Sequence, residues 1–441
     1  MTTSLIAVGG PPFLSASGAP LSGGLIYFFE AGTSTPRTMH KDRALTLAHT
    51  HPIVLDSAGW PPGNAIWTNT IVDMDIRTSG DVSLRTIDEV SGDLASSSDA
   101  SNPNYLINGG FQVAQDGAGP FTTATTPANS DGTYLFDQWI LLSEGNDIVD
   151  VSRVSTAGKK EPASAYALDF EVVTFDRKFG IIQWLDNERT KALHAEGTGV
   201  VSLSFTVVGA ETTLTRCKAA ILAWDGVADS PTLDVVASWG ADGVTPTFLS
   251  TVDVENTISE VTVSQQLQRV KIEGVALDTV GTTNLAIFIW SDDRVTASGS
   301  DRMYLSAIKL EAGYVATDYV EALFTLDYYD AVFFYWKRIR GATNEGLGAG
   351  GCISGTTAEI YIQFPREMHR SAGVSVSAAG DFQVKSPTGG TDATTSVAVQ
   401  ATTKNSAVIQ FGCGAVLTAG EAAMLQFDAT VGGFISFNAR L

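Results

Sequence analysis

Short apolar runs separated by polar turns make up most of this chain. Four of the strongest runs cover residues 179–185, 199–208, 219–224 and 285–290, and Gly, Asp, Ser and Thr cluster between them. Runs of this length that are rich in Val, Ile, Leu, Phe and Trp are typical of β-strands. Because no comparable helical run interrupts them, residues 104–322 are predicted to form a two-sheet antiparallel sandwich.

Similar runs occur on both sides of this central segment. Before it they cover residues 25–30, 65–67 and 71–76, and after it residues 358–364, 382–384, 406–411, 424–429 and 434–441. The serine-rich stretch 94–103 is typical of a linker. The prediction is therefore an all-β chain with a β domain at 1–93, a linker at 94–103, the sandwich at 104–322, a connector at 323–341 and a small C-terminal β-sandwich at 342–441.

The connector is rich in aromatic residues. Val332, Phe333, Trp336 and Ile339 fall at helical spacing, and Gly341 can end the helix after a basic last turn. A helix this apolar would expose a large patch unless another subunit covered it. The residues predicted to lie at an oligomer interface are Phe324, Tyr328, Tyr329, Val332, Phe333 and Trp336.

Composition excludes several classes of function. The formal net charge is −21, from 27 Lys and Arg against 48 Asp and Glu, so a nucleic-acid backbone or an anionic membrane surface would be repelled. No stretch of eighteen consecutive apolar residues occurs, and residues 1–10 do not resemble a signal peptide. We therefore expect no nucleic-acid partner, no membrane insertion and synthesis in the cytoplasm.

The sequence gives little indication of a metal site or of a reactive cysteine. The three cysteines, Cys217, Cys352 and Cys413, have no metal-ligand spacing and are predicted to be reduced core residues. His40, His49 and His51 could suggest a metal, but a solvated loop is the expected interpretation. No cofactor and no metal site are predicted. A structural calcium ion is the alternative, although no Asp-x-Asp-x-Asp-Gly loop supports it.

Signs of catalysis are equally sparse. No nucleophile elbow or phosphate-binding loop occurs, and no internal repeat indicates a β-helix. Asp169 with Glu171, and Asp292 with Asp293, are carboxylate pairs of the kind that a glycosidase needs, but such pairs are expected by chance among 48 acidic residues. The chain is therefore predicted not to be an enzyme, with a capsule-degrading glycosidase as a minor alternative.

Two tryptophans at predicted strand ends suggest binding of sugars, whose C–H faces stack on aromatic rings while their hydroxyls need polar partners. The predicted glycan-binding residues are Trp184, Asp186, Asn187, Arg189, Trp224 and Asp225. Either tryptophan could instead belong to the core. In that case the loops around residues 366–370 and 385–391 are the next place for a site.

The central segment also resembles a known family. It opens with Asn-x-Leu-Ile-Asn-Gly-Gly-Phe at 104–111 and closes with Ile-Lys-Leu-Glu-x-Gly-x-x-Ala-Thr at 308–317. This pair, together with Gln-x-x-Asp at 183–186 and Ser-Leu-Ser-Phe at 202–205, is similar to the jelly-roll domain of bacteriophage tail-fibre and receptor-binding proteins.

Residues 1–93 resemble the particle-attachment domain of phage tail fibres. The motifs are Gly-x-Pro-Leu-x-Gly-Gly-x-Ile-Tyr at 18–27, Ala-Gly-Thr at 31–33, Pro-Ile-Val-Leu-Asp-x-x-Gly at 52–59 and Ile-Trp at 66–67. The last strand departs from the family pattern, because Asp73 and Asp75 stand where the family has a Tyr/Val-rich run.

These resemblances imply a homotrimeric structural protein of a phage tail, assembled in the host cytoplasm. Residues 1–93 would join other tail or baseplate proteins, and the remainder would bind a host surface polysaccharide without cleaving it. The alternative is a structural tail, baseplate or head-decoration protein whose jelly roll contacts other virion proteins.

Overall fold

The computed structural model describes residues 4–8, 13–15, 19–42, 45–63, 65–68, 70, 72–90, 102–196, 199–209, 213–278, 280–294, 301–342, 344–414, 416–428 and 432–441. The chain divides into two compact units, Met1–Ser101 and Asn102–Leu441. This division falls within the predicted linker, most of which lies outside the described residues. As predicted, the fold is all-β, with antiparallel sheets and two short α-helices among the described residues.

The first unit is a small β domain. Its strands are β1 (Ser4–Val8), β2 (Leu25–Glu30), β3 (Ile53–Val54), β4 (Ala65–Thr68), β5 (Val72–Arg77) and β6 (Ser83–Val90). Where the chain is described, β1 pairs with β4, and the other strands form a sheet in the order β3-β2-β5-β6. Ile26 and Phe28, on one face of β2, are fully buried in its core.

The acidic residues of β5 do not prevent its pairing. Strand β5 pairs with β2 along its whole length, from Leu25 opposite Arg77 to Glu30 opposite Val72. Asp73 accepts a hydrogen bond from the Gly32 amide, and Asp75 binds Arg77 and Ser83. The carboxylates therefore fix the adjacent turns and side chains.

The three histidines of this unit have separate structural surroundings. One ring nitrogen of buried His49 lies 2.8 Å from the Ala65 carbonyl oxygen, and the exposed His51 ring packs edge-on against Tyr27 and Phe29. The backbone of His40 bonds that of Trp67.

The second unit begins with the predicted sandwich. Its strands are β7 (Thr133–Phe136), β8 (Trp139–Ser143), β9 (Val149–Val154), β10 (Ala167–Val172), β11 (Phe179–Trp184), β12 (Val200–Gly209), β13 (Arg216–Trp224), β14 (Val236–Ser238), β15 (Thr247–Phe248), β16 (Val252–Val254), β17 (Val261–Thr262), β18 (Gln268–Ala276), β19 (Asn284–Ser291) and β20 (Arg302–Ala312). Helix α1 (Asn187–Glu196) lies between β11 and β12.

Among the described residues, these strands form two facing sheets, apart from β14 and β15, which pair with each other. One has the order β18-β12-β20-β10-β9, and the other has the order β16-β13-β19-β11-β8-β7 with β17 beside β13. A shared apolar core joins them, with Phe205 of β12 and Ile289 of β19 both fully buried in it.

The β11–β13–β19 sheet is buried on both faces, which explains its continuous apolar runs. On its outer face Ile182, Phe288 and Trp290 form a second core. The excursion between β13 and β17 covers this face through Trp239, and the connector covers it through Phe334. Residues on both sides of each strand must therefore be apolar.

The outer face of the β12–β20 sheet is polar although it is buried. Ser202, Ser204 and Thr206 alternate with the apolar core residues of β12 and are at most 1% exposed. On β20, Lys309 pairs with Glu311, and the segment after β20 bonds both through Thr317. The chain thus covers this face of the sandwich with its own polar residues.

The two ends of the central segment meet. The Asn104 side chain accepts a hydrogen bond from the Leu310 amide at 3.0 Å and donates one to the Ile308 carbonyl at 2.9 Å. A side chain at Gly109 would place its Cβ 2.2 Å from the Ile308 carbonyl oxygen, so only glycine fits there. The paired sequence motifs therefore form one structural feature.

The connector differs from the single predicted helix. Helix α2 (Phe324–Phe334) is followed directly by strand β21 (Tyr335–Ile339). The strand replaces the last predicted helical turns because Tyr335 to Ile339 pair antiparallel with a strand near the end of the chain. Val332 and Trp336 are buried in the core of the C-terminal region, so they cannot contribute to an oligomer interface as predicted.

The C-terminal region forms a barrel rather than the predicted two-sheet sandwich. Its strands are β22 (Gly346–Cys352), β23 (Thr357–Gln363), β24 (Gly373–Val376), β25 (Phe382–Ser386), β26 (Gly390–Thr402), β27 (Ser406–Cys413), β28 (Ala422–Phe427) and β29 (Phe434–Asn438), with a 3₁₀ turn at Ala379–Asp381. As far as the region is described, β22-β23-β27-β26-β25-β28 close on themselves, and β21-β29-β24 form a separate sheet. Closure arises because β28 pairs with both β22 and β25.

All three cysteines are buried and free of disulfides, as predicted. In the described part of the chain, no helix combines the length and apolar character needed to cross a membrane.

Candidate functional site

The structure brings the two predicted sugar-binding tryptophans together, but as packed residues. Trp184 ends β11 and Trp224 ends β13, and their rings meet edge-on with centroids 6.2 Å apart. Trp184 is only 5% exposed and donates its ring N–H to the Thr232 carbonyl. Trp224 is partly exposed, but its ring packs so closely on Gly226 that a Cβ there would lie 2.3 Å away. The buried Trp184 therefore cannot act as the predicted stacking surface.

The polar residues beside Trp184 stabilise helix α1. Asp186 caps the helix by accepting the Arg189 amide at 2.9 Å, and it also pairs with the Arg189 guanidinium at 2.7 Å. Asn187 donates its backbone N–H to Asp229. The helix was not predicted, although Asp186 as N-cap and Glu188 in the first turn are sequence signals for one.

Asp225 lies in an acidic neighbourhood. It is exposed, and its pKa is raised. Partial desolvation is the larger cause of this rise, and the negative charge of Asp253 is the next. Desolvation likewise raises the pKa of Glu255, although the backbone N–H of Asp278 donates to its carboxylate and opposes this rise. Within the described ranges, no cluster of three or more His, Cys, Asp or Glu has an arrangement suited to a metal ion.

The carboxylate pairs that a glycosidase would need are bound to cations. Asp169 and Glu171 both bind the guanidinium of Arg302. Asp292 binds Lys178 and Lys218, and Asp293 binds Arg216. In the folded chain, these carboxylates therefore form ion pairs with the neighbouring lysines and arginines.

A groove lies between the sandwich and the β21-β29-β24 sheet, away from Trp184 and Trp224. It has a volume of about 450 Å³. The side chains that give it its chemical character are Tyr134, Leu233, Arg370, Ser375, Asn438 and Arg440. We call it the Tyr134 groove.

Tyr134 and Arg440 form one wall of the Tyr134 groove. The guanidinium carbon of Arg440 lies 4.6 Å from the Tyr134 ring centroid and 3.7 Å from that of Tyr335. The Tyr134 hydroxyl donates to the main-chain oxygen of Leu441 at 3.1 Å. Two aromatic rings thus hold the arginine in place, which is a favourable cation–π arrangement.

The opposite wall comes from the C-terminal region. Arg370 is exposed, and Ser375 and Asn438 are exposed residues of the paired strands β24 and β29. Near this wall, His369 Nε2 lies 3.4 Å from the Asp229 carboxylate on the sandwich. The site is therefore built on paired strands, which favours a preformed groove.

The carboxyl of Asp137 is fully buried. Complete burial raises its pKa to about 6, although the charge of Arg440 and hydrogen bonds from Gln115 oppose this effect. Because the folded chain holds this proton more tightly than the unfolded chain does, the Asp137 contribution to stability falls as the pH rises from about 4 to about 6.

Replacing Asp137 by asparagine is expected to remove this pH-dependent cost. The difference in unfolding free energy, variant minus wild type, should rise by on the order of 2–3 kcal/mol between about pH 4 and pH 7.5. Urea unfolding at a series of pH values measures it, and a difference that stays constant across this range would contradict the raised pKa.

The Tyr134 groove offers several kinds of group for recognition of a ligand. It offers a partly exposed ring, an apolar side chain in Leu233, hydrogen-bonding groups in Ser375 and Asn438, and two guanidinium groups. These are the groups that contact the C–H faces, hydroxyls and acidic substituents of sugars.

Sequence reasoning indicated only one part of this groove. The loop at residues 366–370 was the stated alternative site, and Arg370 does line the groove. The other alternative, residues 385–391, covers parts of β25 and β26 and the turn between them. Tyr134 and Arg440 carry no sequence signal because they lie about 300 residues apart and meet only in the folded chain.

No protein-family model and no curated protein sequence matches this chain.

Several solved structures share low similarity with it. TmCBM61 in complex with beta-1,4-galactotriose is 13% identical, with a TM-score of 0.27, over 48% of this chain and 99% of that one. The enzymatically active domain of bacteriophage CBA120 tailspike protein 4 is 12% identical, with a TM-score of 0.26, over 43% of this chain and 21% of that one. A carbohydrate-binding module of the β-sandwich superfamily is 10% identical, with a TM-score of 0.29, over 70% of this chain and 98% of that one.

Proposed function

We propose that this protein is a non-catalytic glycan-binding component of a phage tail or phage-like particle. The observation that carries the proposal is the Tyr134 groove, in which aromatic, guanidinium, amide and hydroxyl groups converge on a β scaffold. The sequence resemblance of residues 104–322 to the jelly roll of phage tail-fibre proteins supports the setting. Residues 1–93 would then attach the protein to other tail or baseplate proteins.

Binding of this kind is weak at each site. A single sugar site often has a Kd near millimolar, or about −4 kcal/mol, so useful adhesion requires several copies. A homotrimer would supply three grooves in one particle component. The target would be a polysaccharide on the host surface.

The proposal predicts that the full chain binds a subset of oligosaccharides on a glycan array and in calorimetry. Arg370→Gln should weaken that binding by about tenfold, because a charged hydrogen-bond donor is lost from the groove. Arg177→Gln, at another exposed arginine outside the groove, is the matched control and should bind as the wild type does. Absence of glycan binding in the wild-type chain would remove the proposal.

One observation favours assembly with other copies of the chain. An apolar patch at the start of α2 contains Leu323 (73% exposed), Phe324, Leu326 (60% exposed) and Tyr329. Two of these, Phe324 and Tyr329, belong to the interface predicted from the sequence. Burying such a patch against a second copy would remove exposed apolar surface.

The wild-type chain is accordingly expected to sediment as a trimer, and Leu323→Asp with Leu326→Asp as a monomer that retains its fold. Val280→Asp is the control, because Val280 is 82% exposed and lies outside the patch. Analytical ultracentrifugation with circular dichroism distinguishes these results. A monomeric wild type would contradict the proposed trimer. It would favour the alternative structural role, in which the chain contacts other virion proteins through this patch.

A further inference from the structure

The Tyr134 groove differs in charge from the rest of the chain. Acidic residues outnumber Lys and Arg by 48 to 27. Nevertheless, the charged side chains that line this groove are two arginines, beside the main-chain oxygen of Leu441, whereas another surface cleft is lined by Glu144, Asp176 and Arg294. A local excess of positive charge in an acidic chain attracts anionic ligands to that one place.

The guanidinium of Arg440 is buried and incompletely hydrogen-bonded. It is 6% exposed, and its Nε and Nη2 form no hydrogen bond with any residue that the structure describes. The Asp116 carboxylate lies 3.5 Å from Nη2, but Asp116 also pairs with Lys337 at 2.9 Å and accepts the Tyr335 hydroxyl at 2.7 Å. Because a buried charge is costly without close partners, a bound anion would stabilise this arrangement.

Arg370 supplies a second cation that is free to bind. It is exposed and forms no ion pair or side-chain hydrogen bond with the described residues. Burial raises the pKa of Tyr134 to about 12, while the charges of Arg440 and Arg370 both act to lower it. Both arginines line the same groove as Tyr134.

The shape and the apolar lining favour a sugar over a small inorganic anion. The groove volume of about 450 Å³ is within the range of small-ligand sites. Pro231 and Leu233 also line it, and they match the C–H surface of a pyranose ring. A planar carboxylate can accept two parallel hydrogen bonds from one guanidinium.

We propose that the Tyr134 groove selects sugars that carry a carboxylate, such as uronic-acid residues of an acidic polysaccharide. Arg370 contacts the carboxylate directly, and the charge of Arg440 strengthens its binding. Asn438 and Ser375 bind ring hydroxyls. This inference rests on the proposed glycan-binding function and adds the chemical class of the ligand.

The test compares acidic oligosaccharides with neutral partners of the same stereochemistry. Oligomers of galacturonate, glucuronate and mannuronate are titrated into the full chain, each alongside its carboxyl-reduced form, in which only the carboxylate has become a hydroxymethyl group. At least one acidic oligomer should bind about ten- to one-hundred-fold more tightly than its reduced form, as expected for a charge-assisted hydrogen bond. Added salt should narrow that ratio.

Two variants and a control test whether the preference for acidic oligomers arises in the Tyr134 groove. Arg370→Gln, an exposed substitution that leaves the fold unchanged, should bring acidic and reduced oligomers to nearly equal affinity. Arg440→Gln should do the same if it folds, and its thermal unfolding curve shows whether it does. Arg177→Gln should retain the full preference.

The possible outcomes distinguish a failure of the glycan-binding function from a failure of the acidic-sugar assignment. If the chain binds neither these oligomers nor any sugar on the glycan array, the proposed function fails. If it binds only neutral glycans of the array, the acidic class is wrong. If reduced and acidic oligomers bind equally, or if Arg370→Gln keeps the preference, the glycan function stands and the acidic class is wrong. Competition by inorganic phosphate at the same concentration as the uronate oligomer would identify a general anion site and overturn the sugar assignment.

Discussion

Replacing Asp292 by asparagine should lower the free energy of unfolding by about 3–5 kcal/mol. Asp292 is fully buried, and its two carboxylate oxygens pair with Lys178 at 2.8 Å and Lys218 at 2.7 Å. The substitution would leave two ammonium groups, one of them fully buried, without their counter-charge. Chemical denaturation of the wild type and the variant measures the loss.

Asp176→Asn is the matched control for this prediction. Asp176 is 64% exposed and lies 3.7 Å from Arg294, so removing its charge should cost at most about 1 kcal/mol. Replacing Lys178 and Lys218 by methionine together with Asp292→Leu should recover part of the loss. Recovery stays partial because the Val244 and Gly243 carbonyls lose the donors they have in the wild type. A small effect of Asp292→Asn alone would show that the buried ion pairs do not contribute as described.

The second large effect is expected at Trp184. Trp184→Ala should destabilise the chain by about 3–5 kcal/mol, because it leaves a cavity in the outer core of the sandwich and removes the ring N–H bond to Thr232. Trp184→Phe should cost less, since it keeps most of the apolar volume. Thermal or urea unfolding of both variants tests this order.

The Trp184 result also decides how sugar-binding data are interpreted. If Trp184→Ala reduces binding while the protein is partly unfolded, lost packing explains the reduction. If the variant instead folds with wild-type stability, Trp184 is not the core residue that its 5% exposure indicates.

The strands of the sandwich were predictable because local sequence determines them. Residues 199–208, for example, were expected to form a strand, and β12 covers Val200–Gly209. Strand β19 (Asn284–Ser291) has a continuous apolar run, which is the pattern expected when both faces of a sheet are buried. What covers the outer face was not predictable, because Trp239 and Phe334 come from segments distant in sequence.

The connector shows where local patterns fail. Val332, Phe333 and Trp336 have helical spacing, yet the chain becomes extended at Tyr335. The reason is non-local, since Tyr335 pairs with Asn438 of β29. Barrel closure is similar, because the pairing of β28 with β22 joins strands about seventy residues apart.

The candidate site follows the same rule. The sequence pointed to tryptophans at strand ends, since an aromatic beside polar residues is a local pattern, and the structure uses Trp184 and Asp186 for packing and helix capping. The Tyr134 groove combines side chains from four distant segments. Only the Arg370 loop could be suggested in advance.

A crystal structure of the full chain with its tightest-binding oligosaccharide tests the central proposal most directly. We expect a sugar in the Tyr134 groove, within hydrogen-bonding distance of Arg370 and Asn438 and in contact with Tyr134. A sugar bound elsewhere, for example against Trp224 and Asp225, with the Tyr134 groove empty, would contradict it.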